Sequence, residues 1–540
     1  MKLPRLNAEW LKEAQEAAAG PRAGHAPGSP ATAGAHSSTA DKGINGIESR
    51  GASLPMYHRE ACGVGIVHLG VGNFHRAHQA VYTDEVLARQ SGDWRILGVS
   101  LRSENIARIL NEQDGLYTLL IRGEGGTHAH VIGSIAGAVA ASRSLAPVLT
   151  ALISPKTRIV TLTVTEKAYG IDRASGAVSS LHPAVMHDLA NPDQPAGVLG
   201  LLVWGLRHRR QRQLAPFSVL CCDNLPENGR LLRAGVCDLA ERTEAGLGGW
   251  IAEHVAFPCS MVDRITPSPT DQTLRDAALA TGCDDLAAVE TEPFSMWVVE
   301  DHFPAGRPAW ERAGALMVHD VAPYERMKLR MLNGAHSLLA YAGHVAGHAY
   351  VRDAMRDDAL SRRVDEYLRA AAATLQPLPA VDFSTYAADL RRRFANPSIA
   401  HKTSQIAMDG TEKLPQRILE AAADSLAKEM PTKIFAFATA AWMRYSLGIT
   451  DAGEQYDLND PRAGEITSAV RRVSGAPHAP DLHSLRSYAV HASALSAALM
   501  GLPGLFPPSL LQSPAWREQV SGYLRVMLDK GMTAALQDAD

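Results

Sequence analysis

Lys328, Asn333 and His336 lie in MKLRMLNGAHSLLAY, residues 327 to 341, a run otherwise apolar enough for a buried helix. Taking Lys328 as the origin and about 100° per residue, His336 falls at about 80° and Asn333 at about 140°, with Glu325 at about 60° on the same arc. A cation that can release a proton, an amide donor and an imidazole therefore share one side. In apolar surroundings each costs free energy unless partnered, so the set is either an expensive accident or a site. A lysine in a dry site has its neutral form favoured, which brings its acid and base forms toward the working pH. The competing reading is a lysine that lays its methylenes on apolar surface and keeps its ammonium in water.

The elements upstream suit a nucleotide. In GVGIVHLGVGNFHRAHQAVYTDEVL, from residue 63, the short apolar run Gly65 to Leu69 breaks at Gly70-Val71-Gly72 before a helical segment starts near Arg76. Strand, glycine turn and helix are what a dinucleotide needs, because a backbone without Cβ turns tightly and lets a pyrophosphate approach. The match to G-x-G-x-x-G is partial, since His75 holds the third glycine position, and an ordinary strand-turn-helix fits as well. Gly70, Gly72, Asn73 and Phe74 are the cofactor candidates. A second strand, WRILGVSL, follows one helix later and ends in Arg102, Ser103, Glu104 and Asn105. Glu104 suits the ribose of NAD, and Arg102 would instead meet a 2'-phosphate; the balance falls to NAD. TRIVTLTVTEKAYG and FSVLCCDNLPENG are further buried strands, and ligands of open parallel sheets bind beyond the carboxyl ends of such strands. Glu166 and Asn224 are candidates by that position, with a helix cap or turn as the alternative for each. From about residue 320 long helical periods dominate. The fold class expected is an α/β Rossmann-type N-terminal domain, residues 56–315, followed by a mostly α-helical C-terminal domain, 316–540, for substrate and catalysis. Residues 1–55 read as an N-terminal extension, with a Pro/Ala/Gly/Ser-rich flexible connector over 21 to 45.

Composition narrows the classes. At 540 residues, 46% hydrophobic and 20% charged, the chain is an ordinary globular protein of more than one domain. A net charge of −4 lacks the basic excess of a nucleic-acid binder. No apolar run of about 18 residues is present to span a membrane. Six cysteines without a C-x-x-C pair read as neither a disulfide framework nor a structural zinc site, which fits a reducing, cytoplasmic compartment. His344 and His348, four apart on one helix, could clamp zinc, but no third ligand is evident and no metal is expected.

The stretches HLGVGNFHRAHQAVYTDE, LTVTEKAYG, CCDNLPENG, FPCSMVDRITP, EPFSMWVVEDHFPAGRPAWE and PYERMKLRMLNGAHSLLAY together resemble the polyol-specific long-chain dehydrogenases, the mannitol dehydrogenase family, which includes fructuronate reductases (mannonate oxidoreductases). The matches run in order from about residue 63 to 450. The resemblance implies metal-independent hydride transfer between NAD(H) and a sugar-derived alcohol or ketone. It implies Lys328 as general base for alcohol oxidation and acid for ketone reduction, Asn224 and Asn333 as holders of the oxyanion, and His336 on a substrate hydroxyl. Asp263 would help orient substrate or cofactor, and Arg264 beside it is a further substrate-binding candidate. A protein that binds a dinucleotide without turnover is the opposing class, and the intact Lys328, Asn333, His336 and Asn224 set speaks against it.

The substrate expectation rests on NPSIAHKTSQIAMDGTEKLPQR, residues 396 to 417. A hexuronate brings a carboxylate that must not be left unpaired in a closed site, whereas mannitol or fructose needs only hydroxyl partners. His401, Lys402, Lys413 and Arg417 offer that pairing, and the segment resembles that of fructuronate reductases more than that of mannitol 2-dehydrogenases, although their His-Arg-Thr stands here as His401-Lys402-Thr403. Lysine keeps the charge and loses the planar fork. The expectation is interconversion of D-fructuronate and D-mannonate with NAD, the alternative being D-mannitol and D-fructose or another polyol and ketose. The partners expected are a small sugar acid or polyol, no nucleic acid and no membrane, in a monomer or small homo-oligomer.

Overall fold

A computed structural model divides the chain into two compact units, Met1–Ala322 and Pro323–Asp540. The structure describes residues 3–19, 51–172, 175–474 and 482–537. The connector expected over 21 to 45 lies outside the described residues.

The strands of the first unit are β1 (Val64–Leu69), β2 (Arg95–Ser100), β3 (Tyr117–Gly123), β4 (Gly126–Ile132), β5 (Ile135–Ala140), β6 (Ile159–Leu162), β7 (Ser218–Cys221), β8 (Ser260–Asp263), β9 (Val289–Thr291), β10 (Met296–Glu300) and β11 (Leu316–Val318). Five of them form a parallel sheet in the order β5-β2-β1-β6-β7. Both faces are covered, and the strand period of two sorts the side chains. Val67, Leu69, Val160 and Leu162 pack to one side with Leu199, Leu202 and Leu206 of the helix Val198–Gln211. Ile66, Ile159 and Leu220 pack to the other side with Trp297 and Trp310. The order runs outward from β1 in both directions, so the carboxyl end of β1 is a switch point, where open α/β sheets bind ligands.

Two three-stranded sheets, β4-β3-β9 and β11-β10-β8, complete this unit. β11 pairs parallel with β10, so the first unit runs past residue 315 to Ala322. The amino-terminal residues also belong to it. Leu6 and Leu11 are buried against Leu116, Val131 and Cys283, and Arg5 pairs with Glu112 at 2.7 Å. The apolar spacing around the helix Ala8–Ala19 thus docks this segment on the unit.

The second unit is helical. Its helix Lys433–Tyr445 is buried from Ile434 to Tyr445 and packs against the helices Gly334–Val345 and Pro514–Asp529. Two π-helical turns, Lys328–Asn333 and Pro415–Leu419, also pack together.

Candidate active site

In the first unit the turn after β1 is built by two glycines for different reasons. Gly70 has φ +101°, and a Cβ there would lie 2.1 Å from the Thr163 carbonyl oxygen, so only glycine fits. Gly72 has φ −82°, open to any residue, and a Cβ would have its nearest neighbour, the Gly70 oxygen, at 3.8 Å. Neither backbone nor packing demands glycine at 72. Its missing side chain keeps clear the space above the turn, as a closely approaching ligand requires. Arg76, which sequence reasoning passed over, braces the turn by donating to the Gly72 carbonyl (3.3 Å) and to Asn73 Oδ1 (2.7 Å). Burial pulls its guanidinium down to about 10, still charged at neutral pH.

Beneath the turn His68 ties β1 to β6. Its Nδ1 lies 2.7 Å from the Thr161 hydroxyl, and its Nε2 lies 2.8 Å from the Thr163 hydroxyl and 3.0 Å from the Gly70 carbonyl. The ring stacks on His75 with centroids 3.4 Å apart. Burial pushes His68 down to about 3 and His75 well below the usual range, so both are neutral.

A cavity of about 510 Å³ opens at this turn, lined by Gly72, Asn73 and Arg76 together with Ser103, Asn105, Thr270 and Asp271. The structure thus gathers Gly72, Asn73 and the end of β2, where a dinucleotide's adenosine would lie. Glu104 is exposed as the first residue of the helix Glu104–Glu112, and its neighbours Ser103 and Asn105 line the cavity in its place. Phe74 stacks on His78 (5.0 Å) as part of the packing. Glu166 opens a short 3-10 turn after β6; its side chain lies outside the described residues.

Asn224 follows β7 and is exposed. Its neighbour Asp223 holds the strand ends together, accepting from the Val164 N–H (2.9 Å) and the Tyr169 hydroxyl (2.5 Å). Asp263 is buried at the end of β8. Arg264 is buried too, and its guanidinium donates to the carbonyls of Ala77 (2.6 Å) and Glu292 (3.2 Å). That commits Arg264 to bracing the backbone, where a ligand contact had been expected of it.

In the second unit the Lys-Asn-His motif takes a form the α-helical period did not foresee. Lys328–Asn333 is a π-helical turn between the α-helices Ala322–Met327 and Gly334–Val345. In an unbroken α-helix Asn333 would stand about 140° from Lys328. The i to i+5 register of a π turn stacks residues five apart, which brings Lys328 and Asn333 toward one face. His336 follows three α-helical residues later. All three are buried, at 8%, 9% and 8% exposure. Arg330, between them, is taken by Asp424 (2.7 Å) and the Thr374 hydroxyl (2.9 Å).

The groups around His336 are cationic or aromatic. Phe394 packs on its ring at 4.4 Å and His401 meets it edge-on at 5.5 Å. Burial, and then the neighbouring His401, Arg393 and Arg417, hold His336 well below its usual range, so it is a neutral imidazole; burial lowers His401 as well, which leaves the two arginines as the positive charges. Arg417 Nη1 donates to the Ser337 hydroxyl at 3.2 Å. Lys402 is exposed at the residue before the short helix Thr403–Ile406, and its side chain makes no capping hydrogen bond there. Arg393 was missed in the sequence because ADLRRRFANP reads as a charged helix face; its burial separates it from exposed Arg391 and Arg392.

Among the described residues no group of three or more His, Cys, Asp and Glu side chains could hold a metal ion, and no helix is long and apolar enough to cross a membrane. A glycine turn at the switch point of a parallel sheet and a buried Lys-Asn-His set on a helical unit define a dinucleotide-type oxidoreductase scaffold. Residues 64–312 match the mannitol dehydrogenase Rossmann domain, and 320–489 match the mannitol dehydrogenase C-terminal domain. The uncharacterized oxidoreductase YeiQ of Escherichia coli (strain K12) is 44% identical, over 80% of this chain and 89% of that one. D-mannonate oxidoreductase of the same organism is 39% identical, over 86% and 93%. The solved ternary complex of Pseudomonas fluorescens mannitol 2-dehydrogenase with NAD and D-mannitol superposes with a TM-score of 0.75 at 35% identity, covering 90% of this chain and 96% of that one. The chain belongs to the mannitol dehydrogenase family of oxidoreductases.

Proposed function

We propose that the protein is an NAD-dependent reductase of D-fructuronate, interconverting it with D-mannonate. The observation that carries the substrate is the surroundings of His336: Arg393 and Arg417 bear on a neutral imidazole in the same unit as Lys328. A neutral polyol has no use for that positive field, whereas a hexuronate carboxylate is compensated by it.

NAD would be held by the Gly70–Gly72 turn, Asn73, Ser103 and Asn105, and the open space over Gly72 fits a group that needs close backbone approach. When bound, NAD accepts hydride in alcohol oxidation and, reduced, donates it in ketone reduction. The chain moves the proton. In reduction the Lys328 ammonium protonates the oxygen that was the ketone; in oxidation the neutral amine takes the hydroxyl proton. Asn333 donates an amide N–H to that oxygen while it carries negative charge. Neutral His336 can donate one ring N–H and accept at the other nitrogen, which suits a neighbouring hydroxyl.

Purified protein assayed with NADH against D-fructuronate and D-fructose tests this reading. The expectation is a higher kcat/KM for D-fructuronate, lost on Arg417→Ala with little change for D-fructose. The likeness to mannitol 2-dehydrogenase supports a second reading, the D-mannitol and D-fructose pair. A higher kcat/KM for D-fructose, with the uronate rate indifferent to Arg417→Ala, would establish it.

A further inference from the structure

Of the residues lining the 510 Å³ cavity at the glycine turn, Arg76 and Asp271 are the charged ones. Arg76 is buried and its guanidinium is occupied by the Gly72 and Ala287 carbonyls and the Asn73 side chain. Asp271 is exposed at the first position of the helix Asp271–Thr281. That helix is capped without it: the Thr273 N–H donates to Thr270 Oγ1 (3.3 Å) and the Thr270 N–H to Thr273 Oγ1 (2.9 Å). The nearby Arg122 is paired with Asp276 (2.8 Å) and Glu290 (2.7 Å), and Arg275 with the Gln272 side chain (2.8 Å). Among the described residues no hydrogen bond or ion pair engages the Asp271 carboxylate.

The end of β2, where a carboxylate would select NAD, brings none into the cavity. Ser103 and Asn105 line it; Glu104 does not. The negative charge comes instead from a segment more than 160 residues further along the chain.

We infer that Asp271 is a specificity-determining residue that favours NAD over NADP at this cavity. The inference rests on the dinucleotide reading of the site. A carboxylate accepts hydrogen bonds from ribose hydroxyls, and it repels a 2'-phosphate, which carries close to two negative charges at neutral pH. Its position in the first turn also gives Asp271 a purely structural role, through favourable interaction with the helix dipole. That role would change stability equally for either cofactor.

The test is direct binding to the full chain, by calorimetry, of ADP-ribose and 2'-phospho-ADP-ribose, which needs no turnover. Wild type should bind ADP-ribose more tightly by at least about tenfold. Asp271→Asn and Asp271→Ser should each narrow that ratio by about tenfold, chiefly by gaining affinity for the phosphorylated ligand. Glu104→Gln should leave it within about twofold. An unchanged ratio in both Asp271 variants, or a ratio that collapses in Glu104→Gln alone, would overturn the assignment while leaving the dinucleotide site intact. Wild type that binds neither ligand would overturn the dinucleotide reading and this inference with it.

Discussion

Gly334 and Arg417 touch through backbone: a Cβ on Gly334 would lie 2.7 Å from the Arg417 carbonyl oxygen, and 2.1 Å from the Tyr367 hydroxyl that donates to the same oxygen at 2.7 Å. Gly334 directly follows the π turn with Lys328 and Asn333, and Arg417 sits in the second π turn. The turn that carries Lys328 and Asn333 and the turn that carries Arg417 are therefore positioned by one close approach.

Gly334→Ala should push these turns apart. Overpacking of this kind costs about 1–3 kcal/mol, read as a lowered Tm, and the uronate KM should rise as Arg417 moves. Normal Tm and KM would show that the two turns adjust independently.

Gly70→Ala and Gly72→Ala should separate folding from binding. Gly70 is required by its φ and by the Thr163 carbonyl, so its replacement should lower Tm. Gly72 is not, so Gly72→Ala should keep its Tm and weaken NADH binding, measured by fluorescence titration. Undiminished NADH affinity in Gly72→Ala would remove the turn from the cofactor site.

Acid should destabilise the protein through histidines buried neutral. His68 is held at about 3 against an ordinary 6.5, with His75 and His336 also lowered by burial. A depressed histidine means that the unfolded chain binds the proton more readily. The stability it contributes is complete above about 6.5 and is lost as pH falls toward the folded value. Asp84, raised to about 6 by burial, acts in the opposite direction below that pH. Tm should therefore fall as pH drops from 7, and His68→Gln should show a shallower fall over pH 7 to 5. Parallel Tm profiles would contradict a neutral buried His68.

Much of this was legible in the sequence, and the exceptions have physical causes. The run Gly65 to Leu69 with Gly70-Val71-Gly72 announced β1 and its turn, because the apolar pattern of a buried strand and the positive φ of Gly70 are both local. The π turn was not legible: the α and π registers of Lys328 to Asn333 differ by one residue per turn, and packing around Gly334 is where they meet their neighbours. Arg264 and Glu104 carried suitable charge at suitable positions, yet the carbonyls of Ala77 and Glu292 engage the first and the second is exposed at a helix start. Arg393 and Asp271 had ordinary local contexts, and only burial and the cavity wall single them out. The amino-terminal residues were set apart by the Pro/Ala/Gly/Ser-rich composition of the connector after them, whereas Leu6 and Leu11 dock on the first unit.

Asn333→Ala should lower kcat for ketone reduction by about a hundredfold, as expected for removal of one donor to a developing oxyanion, with NADH affinity unchanged. Wild-type kcat would place the oxyanion elsewhere.

Whether Lys328 carries the proton is decided by the turnover of Lys328→Ala with NADH and the preferred ketone, measured beside NADH binding. A kcat lower by about a hundredfold or more, with unchanged NADH affinity, is the expected result. Near wild-type kcat at neutral pH would rule Lys328 out as the acid.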